Sequence, residues 1–157
     1  MSFKFKNNKS EFSLLDAFIK LSKEKENFVA VGFPEKINAK YENNQTVIDV
    51  AILNEYGTER IPARPFMKKT AIKYSEELNL FRKKLAKKII KGTLKLGDAL
   101  VLMGEWYSSK IKYVMNNEEF APNAPSTIAK KGAGLKPLHG VEHLLIPAVT
   151  YEVREKK

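Results

Sequence analysis

Apolar residues change their spacing several times along the chain, and each spacing predicts an element. Phe3 and Phe5 alternate with Lys4 and Lys6, the period of a half-buried strand. From Ser10 or Ser13, either able to cap a helix, Leu14, Leu15, Phe18, Ile19 and Leu21 recur at helical spacing until the charged run Lys23 to Glu26. That pattern predicts an amphipathic helix of about 14 residues. Phe28 to Phe33, β-branched and aromatic, reads as a central strand that stops at Pro34. Residues 34 to 46, with Asn38, Asn43 and Asn44, read as an exposed, mobile loop.

Val47 to Tyr56 carries Val47, Ile48, Val50, Ala51, Ile52 and Leu53, and periodicity alone does not separate strand from helix, although Gly57 behind it favours a short helix. Thr58 to Phe66 contains Pro62 and Pro65, each of which fixes φ and removes a donor, so this stretch is irregular. From Met67 to Lys91, the residues Ala71, Tyr74, Leu78, Phe81, Leu85 and Ile89 repeat at three and four, predicting one long helix with its lysines on the other side. After Gly92 the same spacing runs through Leu96, Ala99, Leu100, Met103, Tyr107, Ile111 and Val114 to about Met115, which completes a helical hairpin. Residues 116 to 140 hold too much proline and glycine for a long element and read as a second mobile loop. Leu144 to Val153 returns to strand composition around Pro147, with Val149, Tyr151 and Val153 on one face. The sum is an α+β domain over residues 1–157: a small, mostly antiparallel sheet of two to four strands, packed with the hairpin and a short N-terminal helix.

Composition narrows the chemistry. A length of 157 residues with 43% hydrophobic content can bury one core. Cysteine is absent, which removes disulfides and thiolate metal sites. No apolar run approaches the roughly 20 residues that span a bilayer, so no membrane role is expected and the cytoplasm is the expected place of synthesis and use. The net charge of +10 is uneven: residues 68 to 91 alone carry +7, with nine basic residues against Glu76 and Glu77. A solvated helix face explains such a run, while Arg82, Lys83, Lys84, Lys87, Lys88 and Lys91 are also the candidates for a DNA-facing surface. A basic nucleic-acid-binding module built on the 68–91 helix is thus the alternative function. Trp106 and Tyr107 lie at core-like spacing on the neighbouring helix, which favours a core or oligomer contact over base stacking.

Two apparent catalytic signals fail on context. His139-Gly140-Val141-Glu142-His143 matches His-x-x-Glu-His, a zinc-peptidase arrangement that needs both histidines on one helix face. Pro137, Gly140 and Pro147 make that helix untenable, and only Glu152 and Glu155 follow as a third ligand, so an exposed turn is expected. Lys130-Lys131-Gly132-Ala133-Gly134 lacks the spacing of a phosphate loop. With two histidines and no cysteine, nucleophilic triads have almost nothing to use, and neither an enzyme nor a cofactor is expected.

Three blocks carry a different signal. Val29-Ala30-Val31-Gly32-Phe33 precedes Val50-Ala51 and Asn54-Glu55-Tyr56-Gly57-Thr58; Ile61-Pro62-Ala63-Arg64-Pro65-Phe66-Met67 leads into the long helix; Ala121-Pro122-Asn123-Ala124-Pro125-Ser126-Thr127-Ile128 precedes Lys130-Lys131-Gly132, Lys136-Pro137-Leu138 and the closing strand Ile146 to Val153. In order and spacing, over roughly residues 28 to 153, the chain resembles the tail-completion and minor tail-component (virion morphogenesis) families of tailed bacteriophages. One departure is the segment His139 to His143, which stands where relatives usually place an Asp-Thr-Gly turn.

The resemblance implies a structural virion protein of a phage or prophage, acting at the neck or the head-proximal end of the tail. It implies a homo-oligomeric ring around the DNA channel as the working state, with head-closure, tail-tube or tail-terminator proteins as neighbours and non-specific contact with channel DNA. The expected locations are the host cytoplasm during assembly and then the virion. Gly57 suits a turn after a helix, Phe66 can anchor the proline-stiffened loop in the core, and Arg64 offers a planar five-donor fork. Glu55, Tyr56, Arg60, Arg64 and Phe66 are the expected contacts with partner or sister subunits.

Overall fold

A computed structural model describes residues 27–155 apart from Asn38, Ala133 and Val141. The strand expected at Phe3 to Lys6 and the helix expected from Ser10 or Ser13 lie outside the described residues. The element order is β1 (Asn27–Gly32), a 3₁₀ turn (Glu35–Ile37), α1 (Val47–Tyr56), α2 (Phe66–Lys73), α3 (Ser75–Ile90), α4 (Leu96–Asn117), α5 (Pro125–Lys131) and β2 (Thr150–Glu155). The class is α+β.

β1 and β2 pair antiparallel, from Asn27 opposite Glu155 to Gly32 opposite Thr150. The two ends of the described chain thus meet in one ribbon. A two-stranded ribbon is marginal by itself and needs a covering helix, which here is α4. Its buried residues Leu100, Gly104, Ser108, Ile111 and Met115 follow one another at three or four residues. Gly104 is the point of closest approach: a Cβ there would stand 2.4 Å from the Tyr151 ring of β2. The centre of the core joins Val47, Phe66, Thr70, Ile111, Val114, Met115 and Val149, all essentially sealed from solvent.

The expected long helix from Met67 to Lys91 is two helices with a kink at Tyr74, where φ is −108° and ψ is 14°. The backbone hydrogen bonds run on through the kink, Tyr74 N–H to Thr70 O and Leu78 N–H to Tyr74 O. Two contacts account for it. The Thr70 hydroxyl donates back to Phe66 O at 2.7 Å, a bond that bends helices. The Tyr74 ring is drawn inward to meet Trp106 edge-on at 6.3 Å. Apolar spacing is unchanged across the kink and so does not reveal it.

Both expected loops contain structure. Residues 34 to 46 form the 3₁₀ turn and a tight reversal in which Lys40 bridges Thr46, with Asn44 in the left-handed region at φ 65°. Thr46 and Asp49 close a reciprocal cap at the start of α1. The second loop includes α5, which starts on Pro125 and ends before Gly132. The closing strand begins at Thr150 rather than Leu144 or Ile146. Before it, turns closed by Ala148 N–H to Leu144 O and Val149 N–H to Ile146 O drop Leu145, Ala148 and Val149 into the core.

Phe66 is 1% exposed and meets Phe33 edge-on, ring centroids 6.0 Å apart. Phe66→Ala should therefore cost about 3 to 5 kcal/mol of unfolding free energy, as deletion of a buried aromatic does. Denaturant unfolding measures it, and a loss below about 1 kcal/mol would mean that the site collapses around the missing ring.

Candidate functional site

α1 ends at a glycine whose place a side chain would not fit. Gly57 has φ 73° and ψ −179°, and a Cβ there would sit 2.7 Å from Ala63 N and 2.8 Å from Ile61 O. The chain can turn back on itself this tightly only without a side chain. The reversal closes with Thr58 N–H to Ile61 O at 2.8 Å, while the Thr58 hydroxyl accepts from the N–H groups of Arg60 and Ile61. It lays residues 61 to 67 alongside the last turn of α1.

Each residue of the Asn54-Glu55-Tyr56 triplet then has a separate task. Asn54 O accepts from Arg64 N–H at 2.6 Å, and its side-chain Oδ1 accepts from Arg64 Nη1 at 2.9 Å. The Glu55 carboxylate accepts from Met67 N–H at 2.8 Å and Lys68 N–H at 3.0 Å. It thereby satisfies two of the free donors at the start of α2, where negative charge is also favoured. Tyr56, 79% exposed, faces solvent.

Arg64, expected at an interface, is instead turned inward and is 6% exposed. Besides Asn54, its guanidinium donates to Ala121 O through Nε at 2.8 Å, and to Pro122 O at 3.0 Å and Asn123 Oδ1 at 3.3 Å through Nη2. The planar fork matches acceptors converging from two directions, which a lysine could not do. All four of these acceptors are uncharged, and burial pushes the guanidinium pKa down from its ordinary value. Asn123 passes the tie on by donating to Leu135 O. Arg64 therefore joins α1, the Pro62 to Phe66 segment and the stretch leading into α5. Phe66 is likewise inside, leaving Tyr56 and Arg60 as the exposed members of the expected contact set.

The uncovered side of α1 beside this block carries two large apolar side chains along with exposed Asp49. α1 buries Val47 and Ala51, while Ile52, 51% exposed, and Tyr56 lie one turn apart on its outer side. Sequence reasoning missed Ile52, although a helix with six apolar residues among its first seven is itself a signal that more than one face needs cover.

The basic residues of 68 to 91 divide into two sets. On α2, Lys69 and Lys73 reach Glu118 at the end of α4, and these lysines hold the Glu118 carboxyl below the usual carboxylate range. On α3, Arg82, Lys83, Lys84, Lys87 and Lys88, with Lys91 just beyond, are all exposed. Lys110 belongs to the core side, its ammonium over the Tyr74 ring at 4.4 Å and paired with Glu77 at 2.9 Å. Trp106 lies between Phe81 and Tyr107, at 5.4 Å and 6.1 Å.

His139 and His143 flank a non-helical segment, with His143 at φ 50°. Among the described residues no three His, Asp or Glu side chains gather as a metal-binding set. His139 is less exposed than expected: its Nε2 is shut away without a hydrogen-bond partner. No described helix is long and apolar enough to cross a membrane. Comparison with protein-family models, curated proteins and solved structures gives no match to the chain.

Two predictions follow from these contacts. Arg64→Ala strips several buried acceptors of their donor, each worth about 1 to 3 kcal/mol when left unsatisfied. A loss of roughly 3 kcal/mol or more is expected in denaturant unfolding, with Arg64→Lys recovering little of it; an unchanged midpoint would contradict the inward role. Burial first, then the charges of Lys136 and His143, push the His139 pKa below its ordinary value. The unfolded chain binds this proton near pH 6.5 and the folded one only lower, so the associated stability is complete above about 6.5 and declines as the pH falls below it. Melting of His139→Asn should depend less on pH than wild type over that range, and equal dependence would refute the assignment.

Proposed function

We propose that this chain is a structural assembly subunit of a tailed phage or prophage particle, working at the neck or at the head-proximal end of the tail. The observation that carries the proposal is the outer side of α1, where Ile52 and Tyr56 stand uncovered on a rigidly framed helix. Large apolar side chains exposed together mark surfaces that another protein covers. Here the helix that carries them is fixed by the Gly57 reversal and by the Glu55 and Arg64 ties, so a partner meets a surface already ordered and loses little conformational entropy in docking. The same block carries the resemblance to tail-completion proteins, and its conformation explains why those residue types occur together: one glycine for the reversal, one carboxylate for a cap, one arginine for a buried tie.

The occupant of this surface is a second copy of the chain or the next protein layer of the particle, and ring closure joins unlike faces of adjacent copies. Arg60 is exposed on the reversal that follows α1.

The test replaces Ile52 and Tyr56 together by aspartate and supplies the variant to a phage or prophage deleted for the gene. Both positions are exposed, so the melting temperature should stay within a few degrees of wild type. Electron microscopy should show separate heads and tails with the variant and joined particles with wild type. Normal numbers of joined, infectious particles from a folded variant would defeat the proposal.

A further inference from the structure

Between Glu77 and Asp98 the chain has no carboxylate and seven cations, Arg82, Lys83, Lys84, Lys87, Lys88, Lys91 and Lys95. Lys83, Lys84, Lys87, Lys88 and Lys91 line one shallow groove with Leu80 on the solvent side of α3. Residues at this spacing are neighbours along a helix face, and like charges so placed repel one another. Elsewhere among the described residues several lysines sit beside carboxylates: Lys36 with Glu152, Lys69 and Lys73 with Glu118, Lys110 with Glu77. On the α3 face no described carboxylate pairs with any of the five. The helix thus maintains a row of mutual repulsion that a polyanion would relieve.

Three observations choose among polyanions. An anionic bilayer requires an amphipathic helix with a free apolar side, yet the apolar side of α3 is spent on α4, with Leu85 4% exposed and Phe81 stacked on Trp106. Single-stranded nucleic acid is held by bases stacking on exposed aromatic rings, but Phe81, Trp106 and Tyr107 are half-buried and stack among themselves. The row from Lys83 to Lys91 is about 12 Å long at 1.5 Å per residue, comparable to the width of the major groove of B-form DNA. Lying across that groove, it can meet phosphates of both strands. We propose that the lysine face of α3 binds the phosphate backbone of double-helical nucleic acid without sequence preference. Lysine ammonium groups are point charges that neutralise phosphates and carry no base-reading geometry. The site is independent of the α1 surface and of any assembly role, so either can fail without the other.

The experiment measures binding of the full chain to a labelled duplex of about 30 base pairs by fluorescence anisotropy, over roughly 50 to 200 mM salt. With two to four lysines each on a phosphate, the logarithm of the association constant should fall against that of salt with a slope of about −2 to −4. Replacing Lys83, Lys84, Lys87 and Lys88 by glutamine should weaken binding at least about tenfold and flatten the slope. A control losing the same charge at exposed Lys36, Lys40, Lys68 and Lys136 should change affinity less than about threefold, with folding of both variants checked by thermal melting. Support consists of a wild-type slope in that range and a selective loss in the α3 variant. No duplex binding at the lowest salt would overturn the proposal, as would equal losses in the two variants. So would tighter binding to single strands than to the duplex, or binding to phosphatidylserine vesicles without binding to DNA.

Discussion

The buried guanidinium of Arg64 is the interaction on which the rest of the arrangement depends. Taking a charge out of water is costly unless its donors are met, and here they are met by uncharged oxygens from Asn54, Ala121, Pro122 and Asn123. No single local element offers that set. It exists only when α1, the Gly57 reversal and the stretch leading into α5 are all in place. The charge therefore enforces a geometry that burial of apolar groups alone would leave loose, since hydrophobic contact is not directional. Glu55 extends the same constraint to α2, whose first N–H groups it receives, and Phe66 then seats that helix on the core beside Phe33.

The consequence is a division of surfaces. Residues tied inward in the 54–67 block leave Ile52 and Tyr56 projecting from one side of α1. On α3, Leu85 is buried and Phe81 meets Trp106 of α4, while Leu80 is exposed among the lysines of the outward side. The first is the surface proposed to meet a protein neighbour, and the second the one proposed to meet phosphate. A subunit that bridges protein layers around packaged nucleic acid would need both, which is how the assembly reading and the lysine face fit together without depending on each other.

Much of this was legible in the sequence because the signals were local. Strand-like composition at Phe28 to Phe33 and the helical spacing from Leu96 onward each translate into an element, and Gly57 marks the end of α1. What escaped was set by contacts distant in sequence. The Tyr74 kink answers to Trp106, and the late start of β2 answers to a core that accepts Leu145 and Val149 through turns. Gly104, within a helix, was a readable signal of close packing, since glycine there weakens a helix without some such reason. Pro125 and Gly132 likewise bracket α5 as a start and a stop. For Arg64, the prolines around it rightly indicated restraint. The direction of its side chain depended on carbonyl groups 57 and 58 residues away, which no spacing rule reveals.

The most direct test of this account is a double-mutant cycle between Arg64 and Asn54, each replaced by alanine singly and together and followed by denaturant unfolding. Side chains that share a buried hydrogen bond within a network should be coupled by about 1 kcal/mol or more, so that the double variant loses clearly less than the sum of the single losses. Strictly additive losses, with coupling below about 0.3 kcal/mol, would show that Arg64 does not hold α1 and would contradict the account at its centre.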